Sequence, residues 1–530
     1  MHTSRAALSL IIAGTTLVAS GGGGSIVAAA GEVVDGGTFT MTLSADPGNL
    51  DPLANPSSAL FQVSELAYDS LLSMNPEDGS IASQLATDWS VDGTQVVLTL
   101  AEGITCSDGS PLTASDVVAN LDYTADPANQ SPFLGAYYPV GATAAADDEA
   151  GTVTITLAAP APFVLNGLSD LPIVCAAGMA DRSTLAAGTS GTGPYVLSEA
   201  APGDHYTYTI RDGYTWGPNG ASTDVEGMPD TLVVRIVENA STAANLLLTG
   251  DVNAATVTGP DADRLAAENF FRADTAVLFG EMWFNEAEGR VAADPAVRKA
   301  LVQSVDLDQL QQVITGGQGS PATTFATLAP VACPGDSVSA ALPAFDAAAA
   351  GQLLDEAGWV MGADGVRVKD GTPLSVTLLH DTSAGPAGVA AAELAAQQWT
   401  ALGIDVVDKA QGGTATQETL FGTGDWDIAW VALNVSSPDQ LVPFLSGPGV
   451  ADGGVNFAAI ANADYEAGVQ AASAQQGTDS CPVWLEAEAN LVSAADVVPF
   501  ANTLVPTFGN GAEFVISGSL LPTSIRMIAQ

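Results

Sequence analysis

The sequence predicts an α/β protein, and three observations carry that prediction. Strand-type runs alternate with helical patterns through the second half of the chain, the order expected of strands covered by helices. Several short runs alternate apolar and polar residues with a period of two. Helix starts carry capping residues or proline, and helix ends carry glycine.

Taken in order, Thr38–Leu43 reads as a strand, with Phe39, Met41 and Leu43 set against Thr38, Thr40 and Thr42. It runs into the loop signal Asp46-Pro47-Gly48-Asn49. The Asp92-Gly93 pair inside Ser90–Leu100 marks a hairpin. Thr113 and Asp116 form a capping box ahead of a helix whose buried stripe is Val117, Val118 and Leu121. Val153, Ile155 and Leu157 alternate in a further strand, after a solvated acidic turn at Asp147-Asp148-Glu149. Strands follow at Tyr206–Ile210 and Leu232–Val237. A helix starts at Asp294-Pro295 and is expected to run to Gly316-Gly317. Asp346 caps another, closed by Gly358. Leu374–Leu379 is a strand, Ala387–Leu402 a helix ending at Gly403, and Asp427–Val431 a short strand.

The 530 residues allow two to four domains at about 150 residues each. Hydrophobic residues are 47% and charged residues 14%, enough for a substantial core. Against 60 acidic residues stand 13 basic ones, a net charge of −47. Such a surface repels phosphate backbones, so no nucleic-acid partner is expected. It favours solubility and attracts cationic ligands.

Arg5 precedes an apolar run from Ala6 to Ala19, the length of a signal-peptide core and too short to span a bilayer. Leu17-Val18-Ala19-Ser20-Gly21-Gly22 approaches a lipoprotein box but no cysteine follows, and Ala28-Ala29-Ala30 offers an ordinary cleavage site. Residues 20–35 form a Gly-rich linker. The chain is therefore expected to be exported, to the periplasm or the cell surface. Its four cysteines, Cys106, Cys175, Cys333 and Cys481, then suggest two disulfides, for which three pairings exist.

Signals for catalysis are missing. The three histidines, His2, His205 and His380, are isolated, and no metal-ligand spacing occurs. There is no nucleophile elbow and no phosphate loop. Neither an enzyme nor a cofactor or metal is expected.

A series of segments, in order, resembles the extracellular solute-binding proteins of family 5, the oligopeptide-, dipeptide- and nickel-binding components of ABC importers. Gly36-Gly37-Thr38-Phe39 through Leu50-Asp51-Pro52 resembles the opening strand and loop. Leu85-Ala86-Thr87-Asp88-Trp89 is similar to the family's "LAxSW" segment, and Leu98–Ile104 with Ser107–Val117 to its "LRxGVxFxDGxPxTAxDV" signature. Gly191-Thr192-Gly193-Pro194-Tyr195, Asp212–Trp216, Thr249–Asn253, Phe284-Asn285 with Asp294–Leu301, Leu353–Trp359, Leu402-Gly403-Ile404 and Asp425–Ala429 complete the series across roughly residues 36–508.

The resemblance implies a two-lobed periplasmic-binding-protein-like fold (type II, cluster C) with an extra domain inserted in the first lobe. Residues 1–30 would be signal peptide and linker. Lobe I would comprise 31–76, 187–275 and 498–530, the inserted domain 77–186, and lobe II 276–497. With these boundaries, Cys106–Cys175 and Cys333–Cys481 is the pairing that keeps each bond inside one domain. The function implied is capture of a peptide or other small organic or cationic ligand between the lobes. The carrier, a monomer, would deliver it to permease subunits; a sensor or adaptor for a membrane receptor is the alternative, and a secreted hydrolase a more distant one.

In peptide-binding members a "W-G-x-D-x-x-D-P" segment supplies an Asp that pairs with the peptide's α-amino group. Trp430 stands at its Trp and Ser437-Pro438 at its later "DP", but Leu433 and Asn434 lie between them, with one residue extra and no carboxylate. Asn434 keeps hydrogen-bonding capacity without charge. The candidate ligand contacts are therefore Trp430 as a stacking wall, Asn434, Trp283 and Asn285 near the lobe junction, and Asp46 and Asn49 on the loop after the first strand.

Overall fold

The computed structural model describes residues 31–54, 57–129 and 131–529. The predicted signal segment lies outside the described residues. Ten strands form one mixed sheet, in the spatial order Asp405–Gln411, Ser375–Asp381, Ile428–Trp430, Phe271–Phe284, Val497–Gly509, Ala254–Thr256, Thr38–Leu43, Thr231–Ile236, His205–Ile210 and Tyr195–Ala201. The strand Thr38–Leu43 keeps its predicted bounds, with Phe39 and Met41 in the core.

Two long antiparallel strands, Phe271–Phe284 and Val497–Gly509, sit at the middle of this order and belong to both halves of the sheet. At one end Phe271 pairs with Gly509, and at the other Trp283 pairs with Val497. They form the hinge between two lobes. Lobe II flanks Trp283 and Phe284 with the parallel strands Ile428–Trp430 and Ser375–Asp381. Lobe I flanks Phe508 and Gly509 with Ala254–Thr256, parallel in turn to Thr38–Leu43 and Thr231–Ile236.

Register shows which edges face each other. In lobe II, Ile428 pairs with Phe284 and Trp430 with Met282, so that strand runs toward lobe I. In lobe I, Ala254 pairs with Gly509 and Thr256 with Thr507, so that strand runs toward lobe II. The carboxyl ends of both parallel sets therefore confront one another across the hinge, which is where open α/β sheets hold their ligands.

A separate four-stranded antiparallel sheet, Ala86–Asp92, Gln95–Leu100, Thr152–Thr156 and Thr143–Asp147, forms the inserted unit. The helix Ala114–Ala125 packs on it, and its capping box between Thr113 and Asp116 is complete. Asp148, in the acidic turn, accepts from the Ser115 amide and hydroxyl at the start of that helix.

The structure joins Cys106 to Cys175 and Cys333 to Cys481, closing loops of 69 and 148 residues. Chain-entropy reasoning gives each bond about 4–5 kcal/mol of stabilisation.

One expected helix is two. Pro295–Gln303 ends at Ser304, and Leu307–Ile314 restarts where the Asp306 side chain accepts from the Gln309 amide. A residue that caps a new helix interrupts the old one.

The glycines of Gly191-Thr192-Gly193-Pro194-Tyr195 serve close packing. A Cβ on Gly193 would lie 2.5 Å from the Ala67 carbonyl carbon and 2.7 Å from the Tyr68 nitrogen, at the end of the helix Ser58–Ala67. Backbone cannot yield as a side chain can. Gly193→Ala is expected to destabilise lobe I by about 1–3 kcal/mol; a denaturant midpoint equal to that of the parent chain would refute this account of the motif.

Candidate ligand-binding cleft

The confronting strand ends are continued by loops that form the cleft walls. On lobe I these follow Leu43, Ile236 and Thr256; on lobe II they follow Asp381 and Trp430.

On the lobe I wall, Asp46 accepts from the Gly203 amide at 2.5 Å, the Gly48 amide at 2.7 Å and the Tyr206 hydroxyl at 3.0 Å. Burial works to raise its pKa, but these donors outweigh it and hold the carboxyl below its usual value. Asp46 thus ties its loop to the neighbouring hairpin. Asn49 accepts from the Asp51 amide at 3.0 Å in an Asx turn.

On the lobe II wall, Trp430 is 6% exposed and packs beside Phe500, with ring centroids 5.4 Å apart, and beside His380. The segment that follows it is laced onto the hinge strand by side chains. The Trp283 indole N–H donates to the Val431 carbonyl at 2.8 Å, and the Glu281 carboxylate accepts from the Leu433 amide at 3.0 Å. Asn434 accepts from the Leu278 amide at 2.7 Å and donates to the Leu278 carbonyl at 3.0 Å, and it also accepts from the Thr327 hydroxyl. Its amide therefore imitates a strand partner. Asn434 is exposed and remains on the cleft wall.

Two expectations need correction. Trp283 is fully buried, its ring 4.7 Å from that of Phe457, so it packs beneath the wall and does not line it. Asn285 follows the hinge strand at the end remote from lobe I, 2% exposed, donating to the Trp426 and Gly424 carbonyls and accepting from the Ala287 amide. Chain direction puts it on the wrong edge of the sheet for the cleft.

Apart from Asp46, acidic groups were not singled out from sequence, since acids are everywhere in this chain. Glu65, on the helix Ser58–Ala67, is open to solvent, yet enclosure by protein and repulsion from Asp170 push its carboxyl up to about 7. Burial lifts Asp170 to about 7 as well. Asp439 lines a hollow of about 260 Å³ between the inserted unit and lobe II, and burial raises it to about 6. Tyr137, Pro160 and Val164 form one side of that hollow, and Val442 and Trp484 the other.

A larger hollow of about 530 Å³ lies at the opposite edge of lobe II, lined by Ser375 and Asp427 at the amino ends of their strands. Most of its charged lining is already paired, Lys369 with Asp294 at 3.4 Å and Arg290 with Asp427 at 3.9 Å. Size alone does not make it the ligand site.

Two α/β lobes on a two-stranded hinge, with confronting carboxyl edges, are the architecture of two-lobed binding proteins. The chain belongs to the bacterial extracellular solute-binding proteins of family 5, whose middle-region profile matches residues 80–450. It is 33% identical over 376 residues to Protein XP55 of Streptomyces lividans; the match spans 66% of this chain and 63% of that protein. A substrate-binding protein of Microbacterium hydrocarbonoxydans, solved with 4-hydroxybenzoate hydrazide, superposes with a TM-score of 0.74 at 27% identity, covering 92% of this chain and 99% of that one. The oligopeptide-binding protein AppA of Bacillus subtilis, solved with a nonapeptide, shares the fold with a TM-score of 0.74 at 19% identity, covering 94% of this chain and all (100%) of that one.

Proposed function

We propose that this protein captures a small organic ligand carrying a positive charge, with short peptides as the leading class, and delivers it to the permease of an ABC importer without altering it. The observation that carries this reading is the pair of confronting strand edges on a two-stranded hinge. Curated relatives point the same way: one is named as a glutathione-binding protein and others as ABC transporter peptide-binding proteins.

The non-catalytic reading rests on chemistry. All four cysteines are cross-linked, and the two described histidines lie in different lobes, each beside an aspartate, His205 with Asp204 and His380 with Asp408. The disulfides also suit an oxidising compartment outside the cytoplasm. No described helix is long and apolar enough to cross a membrane. We assign lobe I to 31–76, 187–275 and 498–530, the inserted domain to 77–186 and lobe II to 276–497, with a monomer as the working unit.

A thermal-shift screen across peptides, sugars, opines, hydrazides and metal chelates tests the reading. A binder raises stability by RT ln(1 + [L]/Kd), about 2.7 kcal/mol at a hundredfold excess over Kd. A screen with no shift in any class would overturn it.

A further inference from the structure

The hollow between the inserted unit and lobe II is a cavity apart from the cleft. Among the described residues, none of its lining comes from the loops after Leu43, Ile236 and Thr256 that make the lobe I wall. Its volume of about 260 Å³ is ample for a small ring compound; an engineered cavity of about 150 Å³ already takes up benzene. Tyr137, Pro160 and Ala161 line it from the inserted unit, and Val442 and Trp484 from lobe II.

Both walls are held in place. Tyr137 stacks on Phe133 with ring centroids 5.4 Å apart. Trp484 stands one turn along the helix Cys481–Ala494 from Cys481, which is cross-linked to Cys333, and its ring meets Phe163 of the inserted unit. Largely apolar pockets with a few fixed polar groups, set between structural units, are where small ligands bind.

Two polar groups of the lining are left unfinished by the protein. Trp484 is 1% exposed, and its indole N–H has no hydrogen-bond partner among the described residues. An orphaned buried donor calls for an explanation. The half-buried Asp439 carboxyl accepts from the Ser437 hydroxyl, and no cationic group among the described residues acts on it. A donor and an acceptor in one lining complement a group that both accepts and donates, as a primary amide or a hydroxyl does. An ammonium could not accept from the indole, and an anion would be repelled by Asp439.

We propose that this hollow is a second ligand site, for a small uncharged ring compound bearing one amide or hydroxyl group that accepts from Trp484 and donates to Asp439. Because the occupant touches the inserted unit and lobe II together, it favours their docked arrangement. The inference goes beyond solute capture and does not depend on what the cleft holds.

The test uses the full chain with benzamide as probe and toluene and benzylamine as comparisons, read by calorimetric titration and ligand-detected NMR. Benzamide is expected to bind with a Kd of about 1 mM or tighter, the range open to so small a ligand. Toluene and benzylamine should bind at least about fivefold more weakly, since each loses one of the two hydrogen bonds or both. Trp484→Phe keeps a ring but removes the N–H, and should weaken benzamide by a similar factor. Ala161→Trp and Val442→Trp fill the space from opposite walls at half-buried positions, and each should abolish binding. Circular dichroism verifies the fold of each variant, and the two filling variants carry the test should Trp484→Phe not fold. No benzamide binding to the parent, equal binding of toluene, tighter binding of benzylamine, or unchanged binding in either folded filling variant overturns the proposal.

Discussion

Replacing Arg298 by methionine will cost lobe II about 3–5 kcal/mol, the usual penalty for leaving buried charges without their partner. Arg298 is 4% exposed. Its guanidinium donates to Asp496 at 2.9 Å and to the Ala495, Ala292 and Ala293 carbonyls, and it lies 3.2 Å from Glu286. Glu286 shows how narrow the balance is. Burial and the neighbouring Asp496 raise its pKa, and Arg298 only partly offsets them. Without the arginine, two buried acids face each other. Scanning calorimetry should record a fall of about 10 °C in the lobe II transition, with Asp496→Asn recovering part of it. A loss below about 1 kcal/mol would show that this cluster does not hold the lobe together.

Acidification from pH 8.5 to 5.5 will stabilise the unliganded protein. Burial pushes Glu281 up to about 8 and Glu488 up to about 7, against about 4.3 in an unfolded chain. A carboxyl with a raised folded pKa contributes stability that is fully present below its unfolded pKa and is lost as pH rises through the folded value. The loss therefore runs from about pH 4.5 to about pH 8 and amounts to several kcal/mol for the pair. The net charge of −47 works in the same direction. Midpoints measured across this range should fall with rising pH, and Glu281→Gln should flatten the curve and raise the midpoint at pH 8.5. A midpoint that climbs from pH 5.5 to 8.5 would sink the account.

Much of the scaffold was legible because its signals are local. Thr113 with Asp116, the Asp92-Gly93 turn and the Phe39–Met41 alternation each state their structure within a few residues. The two hinge strands were not legible. Met282, Trp283 and Phe284 are all buried, as are Val497 to Ala501, so neither strand alternates where it crosses lobe II. Their role comes from pairing across more than 200 residues of sequence. The site was legible in part. Trp430 and Asn434 could be named from the motif, and its missing acid was visible as an absence. The bond from the Leu433 amide to Glu281 was not, because the two residues meet only through tertiary contact. Asn285 misled because sequence order gives no information about which sheet edge a residue reaches.

Phe163 of the inserted unit meets Trp484 of lobe II with ring centroids 6.4 Å apart, and both side chains are buried. This apolar contact joins the inserted unit to lobe II beside the hollow that Trp484 and Val164 line. In a carrier built of two hinged halves, an apolar contact of this kind lowers the free energy of the shut form whether or not cargo is present. Apparent affinity is the intrinsic affinity scaled by the population of that form. A cargo of such a carrier has to supply only the remainder of the closing free energy. Breadth of diet in such a carrier is set as much by how readily the empty jaws meet as by the fit of what lies between them.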